Sequence, residues 1–131
     1  DFYERDDGFE PLSELYGMQF RATREIDIGL KYQAIGEGQV DVINAFTTDG
    51  LLVDYEITVL EDDLDFFPSY EAATIIRAET LERFPELEEV LNLLAGKISD
   101  DAMSNMNYQV EELNEDPRAV AREFLSEAGL L

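Results

Sequence analysis

The hydrophobic period changes along this 131-residue chain, and that change limits the fold more than any other feature. Val40-Asp-Val-Ile-Asn-Ala-Phe46, Glu56-Ile-Thr-Val-Leu60 and Ala72-Ala-Thr-Ile-Ile-Arg77 are short β-branched runs that predict strands. Gln19-Phe-Arg-Ala-Thr23 has weaker strand character. Helical signals lie between and after these runs. Pro11-Leu-Ser-Glu-Leu-Tyr-Gly17 predicts a short helix stopped by glycine, and Asp27 predicts a cap ahead of Ile28, Tyr32 and Ile35 at i, i+4 and i+7. Leu87, Val90, Leu91 and Leu94 form an apolar stripe ending at Gly96. Ser99 before two aspartates, and Asp116-Pro117 ahead of Val120, Phe124 and Leu125 with Gly129 closing, start two further helices. Strands interleaved with helices predict an α/β fold. The mixture gives way to one strand followed by helices near Tyr70–Ala72, which divides the chain into residues 1–71 and 72–131.

Composition removes whole classes of function. Thirty-one acidic side chains against nine basic ones give a net charge of −22, which argues against nucleic acid and anionic membrane surfaces as partners. There is no histidine and no cysteine, so Ser-His-Asp, Cys-His, His-zinc and disulfide chemistry are all unavailable within these residues. No apolar run approaches the roughly 18 residues needed to span a bilayer. A hydrophobic fraction of 45% is nevertheless enough to predict a folded core.

With so many carboxylates, acidic pairs are expected by chance. Glu61, Asp62, Asp63 and Asp65 lack the central glycine of a calcium loop, and a solvated acidic loop is the expectation. Asp6-Asp7-Gly8 predicts a turn. Gly36-Glu-Gly38 follows a helix instead of opening one, so it fails as a phosphate loop. No nucleophile–base constellation, metal site or cofactor site is expected. Binding has better support, because Tyr3, Phe46, Phe66, Phe67 and Tyr70 lie at segment ends, where clefts of α/β proteins form. Core packing is the competing expectation for Phe46 and Tyr70. For Arg5 the competing expectation is pairing with Asp1, Glu4, Asp6 or Asp7.

In order along the chain, several segments resemble one family. They are Phe2-Tyr-Glu-Arg5, Asp27-Ile-Gly-Leu-Lys-Tyr-Gln-Ala34, Val40 through Asp49-Gly50, Val59-Leu-Glu-Asp-Asp63, Phe66-Phe-Pro-Ser-Tyr70, Leu94-Ala-Gly-Lys-Ile-Ser99, Met106-Asn-Tyr-Gln-Val110 and Val120-Ala-Arg-Glu-Phe-Leu125. The chain is similar to the substrate-binding proteins of glycine betaine/carnitine/choline ABC transporters, the osmoprotectant-uptake branch, and it resembles their C-terminal half. The resemblance implies a type II periplasmic-binding-protein-like fold of two α/β lobes closing on a ligand. Residues 1–71 would belong to the second lobe, and residues 72–131 would be a crossover strand and C-terminal helices completing the first.

The implied function is binding of a quaternary ammonium solute and its delivery to an ABC permease, with no enzymatic step. The implied location is extracytoplasmic, either periplasmic or membrane-tethered as a lipoprotein or permease fusion, with the signal or anchor outside these residues. The implied ligand-binding residues are Arg5, Phe46 and Tyr70. A quaternary ammonium has charge but no N–H, so aromatic faces hold it through their quadrupole at about 0.5–2 kcal/mol each. A guanidinium suits the carboxylate of a betaine. Position 46 is often tyrosine in that family, and Ser69 stands where a second proline is usual. Open strand edges and the bare face of the Leu87–Leu94 stripe further predict association between copies of the chain, or repacking of those helices onto residues 1–71. The alternative function is accordingly an interaction fragment without a competent site, and an acidic-residue enzyme comes third.

Overall fold

A computed structural model describes residues 2–131. Six α-helices and two 3-10 turns occur among them: the turn Phe2–Glu4, α1 (Phe9–Tyr16), α2 (Lys31–Gly36), the turn Gly50–Val53, α3 (Ala78–Arg83), α4 (Glu86–Asn92), α5 (Asp100–Glu111) and α6 (Pro117–Glu127). The helix ends follow their local chemistry. Ser99 Oγ accepts from the Ala102 N–H at 3.2 Å, and Asp100 and Asp101 occupy the positive first turn of α5. Asp116 caps α6 by accepting from the N–H groups of Arg118 and Ala119, with Pro117 at the first helical position. Past α6, Gly129 takes the left-handed conformation (φ 70°) while the Leu130 N–H returns to the Leu125 carbonyl at 2.8 Å.

Helix α2 starts later than the sequence predicts. Asp27 spends its capping capacity on a turn, its side chain accepting from the Gly29 N–H at 3.0 Å and its carbonyl from the Leu30 N–H at 2.9 Å. Ile28 is consequently outside the helix and exposed.

None of the four segments expected as strands joins a ladder among the described residues. Gln19–Thr23 and 72–76 make no main-chain hydrogen bond there, and Val40–Phe46 and Glu56–Leu60 make only local ones at their ends. The physical reason is that a ladder needs two adjacent strands. β-branched composition supplies propensity for one strand but cannot supply its neighbour.

The packed part of the molecule centres on α5. It lies across the turn Gly50–Val53 and carries α6 on its flank. A side chain at position 50 would bring its Cβ to 2.7 Å from the Tyr108 main-chain nitrogen, so only glycine permits this approach. Ser104 donates to the Asp49 carbonyl at 2.9 Å, Asn107 to the Thr48 carbonyl at 2.8 Å, and the Tyr108 hydroxyl to Asp54 at 2.9 Å. Tyr32, Ala34 and Val120 are the buried hydrophobic residues among those described, a thin core for 131 residues. The α4 stripe is not covered: Val90 is exposed and Leu87 and Leu91 are half-buried, with α3 beside the helix.

Candidate functional site

Three side chains distant in sequence meet at one surface. Phe46 ends the run Val40–Phe46, Tyr70 follows the acidic loop, and Arg5 follows the first 3-10 turn. The rings of Phe46 and Tyr70 are 6.3 Å apart and edge-to-face at 64°. Neither ring is enclosed, with 58% of Phe46 and 61% of Tyr70 exposed. Core packing, the competing expectation for these two residues, does not describe them. Arg5 reaches the same place, its Nη2 donating to the Tyr70 hydroxyl over a long 3.4 Å.

Arg5 also grips Asp7 in a two-pronged pair, Nε to Oδ1 and Nη2 to Oδ2, both at 2.6 Å. The hydrogen bonds to Asp7 and then to Tyr70 hold the guanidinium charged, and the same pair keeps Asp7 below the usual carboxylate range. Pairing with a neighbour and reaching the aromatic pair therefore coexist in one side chain. Asp1, another expected neighbour, lies outside the described residues. Among the described residues, Nη1 makes no hydrogen bond and remains a donor edge.

The turn at Phe46 and the segment before Tyr70 each rest on a carboxylate for which the sequence predicts no such role. Asp49 Oδ2 accepts from Lys31 Nζ at 2.8 Å, from the Tyr32 hydroxyl at 2.8 Å and from the Phe46 N–H at 3.3 Å. Burial pushes the Asp49 carboxyl up, but the hydrogen bonds from Lys31, Tyr32 and the Phe46 N–H together outweigh it and leave the group below its ordinary value. Desolvation, then the bond to Asp49, raises the Tyr32 phenol well above its usual range. Asp62 anchors the segment three residues before Tyr70, accepting from the N–H groups of Phe66 at 3.0 Å and Phe67 at 2.8 Å and from the Tyr16 hydroxyl. Burial first, then the Asp62 bond, pushes the Tyr16 phenol up to about 12. The acidic loop is thus ordered by one of its own carboxylates, while Asp63 and Asp65 remain exposed. No cluster of three or more metal-ligating side chains occurs among the described residues. Two open grooves of the surface, one beside Val59 and Asp101 and one beside Pro85 and Glu89, do not include Arg5, Phe46 or Tyr70.

Residues 1–127 match the family model described as the substrate binding domain of the ABC-type glycine betaine transport system. The chain belongs to that family. It is 40% identical over 130 residues to the ergothioneine transport permease/ergothioneine binding protein EgtU of Helicobacter pylori (strain G27), covering 99% of this chain and 24% of that one. It is 38% identical to the carnitine transport binding protein OpuCC of Listeria monocytogenes, over 91% of this chain and 39% of that one. A glycine-betaine-binding protein of Pseudomonas aeruginosa is also 38% identical, with 100% and 43% covered. A crystal structure of a glycine betaine/carnitine/choline ABC transporter superposes with a TM-score of 0.89 at 37% identity, over 98% of this chain and 47% of that chain. The chain spans less than half the length of each of these proteins. Its backbone is therefore a part of a periplasmic-binding-protein-like α/β fold, as the period change and the resemblance both predict.

Proposed function

We propose that this chain is the part of a solute receptor that holds a small quaternary ammonium compound with Phe46, Tyr70 and Arg5 and serves an ABC importer. One observation carries the reading: two exposed aromatic side chains and a guanidinium converge from positions 5, 46 and 70. The relatives' named ligands support it chemically. Glycine betaine, carnitine and ergothioneine each join a trimethylammonium group to a carboxylate. The first group suits aromatic faces and the second suits the donor edge of Arg5. Choline presents the cation without the carboxylate, so it would engage the aromatic pair alone. Nothing covalent is required, and the protein acts by binding and release, not as an enzyme.

In this reading residues 1–71 lie in the ligand-binding second lobe, and residues 72–131 return to complete the first lobe. The receptor works outside the cytoplasmic membrane, tethered by a lipid anchor, fused to its permease or free in the periplasm, and it hands the solute to the transmembrane subunit. No helix among the described residues is long and apolar enough to cross a membrane. The bare α4 face further supports association of the 131-residue chain with copies of itself when it is alone. Calorimetric titration of the intact protein with glycine betaine, carnitine and choline tests the central proposal. Saturable binding that is lost on Tyr70→Ala is the expected result, and no binding of any trimethylammonium solute would overturn it.

A further inference from the structure

The position of the Phe46 ring is set from behind. In front, the neighbouring ring is Tyr70, and most of the Phe46 surface is open. The run leading up to it, residues 40–45, makes no main-chain hydrogen bond among the described residues. Left to those constraints, the ring would wander.

Asp49 supplies what is missing. Its Oδ2 accepts from the Phe46 N–H at 3.3 Å, and its own N–H donates to the Phe46 carbonyl at 3.0 Å, so the two residues close a reciprocal turn. The same oxygen takes the Lys31 ammonium and the Tyr32 hydroxyl, both on buried residues of α2. The Asp49 carbonyl accepts from Ser104 of α5. One residue thereby fastens the turn that ends the Phe46 run to two helices. A carboxylate suits this junction because it can accept several donors at once and answer the Lys31 charge.

We infer that Asp49 is a positioning residue for solute recognition, acting through Phe46 by fixing the turn that presents its ring. The inference rests on the proposed binding role of Phe46, and the test separates the two. Choline is the probe, since it lacks a carboxylate and removes Arg5 from the measurement.

In the intact protein, Phe46→Ala and Asp49→Asn are made singly and together, and choline affinity and unfolding midpoint are measured for all four forms. Asp49→Asn is expected to weaken choline about tenfold when Phe46 is present and to change it little in the Phe46→Ala background. Its effect on the unfolding midpoint is expected to be similar in both backgrounds, which a merely structural role would also give. Non-additivity in binding is the distinguishing signature. Equal binding losses in both backgrounds, or no loss in either, would overturn the role of Asp49 while leaving the site intact. If Phe46→Ala alone leaves choline affinity unchanged, the binding role of Phe46 falls and the inference falls with it. Should Asp49→Asn fail to fold, Tyr32→Phe removes one donor while keeping its ring. A threefold loss confined to the Phe46 form supports the inference, and an unchanged or background-independent affinity overturns it.

Discussion

Arg5 divides its donors between Asp7 and an edge with no partner among the described residues, and in the proposed site this division would set what the residue discriminates. With Asp7 holding one side, Nη1 is the edge available to a carboxylate. Arg5→Ala should weaken glycine betaine and carnitine far more than choline in calorimetry, because choline has no anion to lose. An equal loss for all three would make Arg5 a purely structural partner of Asp7. Tyr70→Ala should weaken every quaternary ligand by roughly tenfold, about 1.4 kcal/mol. Tyr70→Phe should be nearly silent, since the Arg5 contact to its hydroxyl is long. Asp49 makes a prediction in pH. Its folded pKa is depressed, so its stabilising contribution is fully present above the unfolded value of about 4 and is lost as pH falls through the lower folded value. Urea midpoints measured from about pH 6 downward should drop more steeply below about pH 4 in the parent protein than in Asp49→Asn. The segments that carry Arg5, Phe46 and Tyr70 were legible because they resemble a known family. Asp49 and Asp62 were not, because single carboxylates among 31 acidic side chains carry no distinguishing signal until their partners are folded beside them.

Among the elements, the starts and stops written in a few adjacent residues were the legible ones. Ser99, Asp116-Pro117 and Gly129 act where they stand, since a cap needs only the next turn of chain. Asp27 has the same chemistry but closes a turn at Gly29, a competition that side-chain identity alone does not decide. The strand runs show the opposite limit, because pairing depends on residues far away or on another part of the protein. The seat of α5 on the Gly50 turn was equally invisible, being a long-range approach that only the missing Cβ betrays. Gly50→Ala should force α5 off its seat and cost about 1–3 kcal/mol in a denaturant melt, with the helix content of α5 and α6 falling together. The Tyr16–Asp62 clasp gives an alkaline counterpart. A phenol raised to about 12 contributes stability that is complete below the unfolded value of about 10 and disappears as pH rises through 12. Phenolate absorbance should show more than one late-titrating tyrosine, Tyr16 and Tyr32 among them, and Tyr16→Phe should remove one of these without touching Tyr32.

At the scale of the whole molecule, two quantities dominate. The accessible surface is 10842 Å², against about 7,000 Å² for a closed monomer of this mass. Large apolar side chains contribute to it, with Ile75, Ile28 and Leu60 largely exposed. The net charge is −22, yet the ion pairs among the described residues are Arg5–Asp7 and Lys31–Asp49. Most carboxylates therefore repel without local compensation, and screening should favour the folded chain. The urea midpoint is expected to rise as potassium chloride is raised from millimolar to about 1 M, where the Debye length shrinks to about 3 Å. Light scattering should show association of the isolated chain growing over the same range, since repulsion is what holds the apolar faces apart. A midpoint that falls with salt would show instead that attractive pairs dominate.

The bracing of the Phe46 turn by α5 has a practical consequence for building biosensors from such receptors. Ser104 and Asn107 grip the carbonyls of Asp49 and Thr48 and neither is one of the three side chains of the proposed site, so altering them should change the stiffness of the mount while Arg5, Phe46 and Tyr70 stay in place. If the proposed site holds, a library confined to those two positions should shift the detection range of a reporter while preserving its selectivity profile, because the three proposed recognition side chains stay as they are.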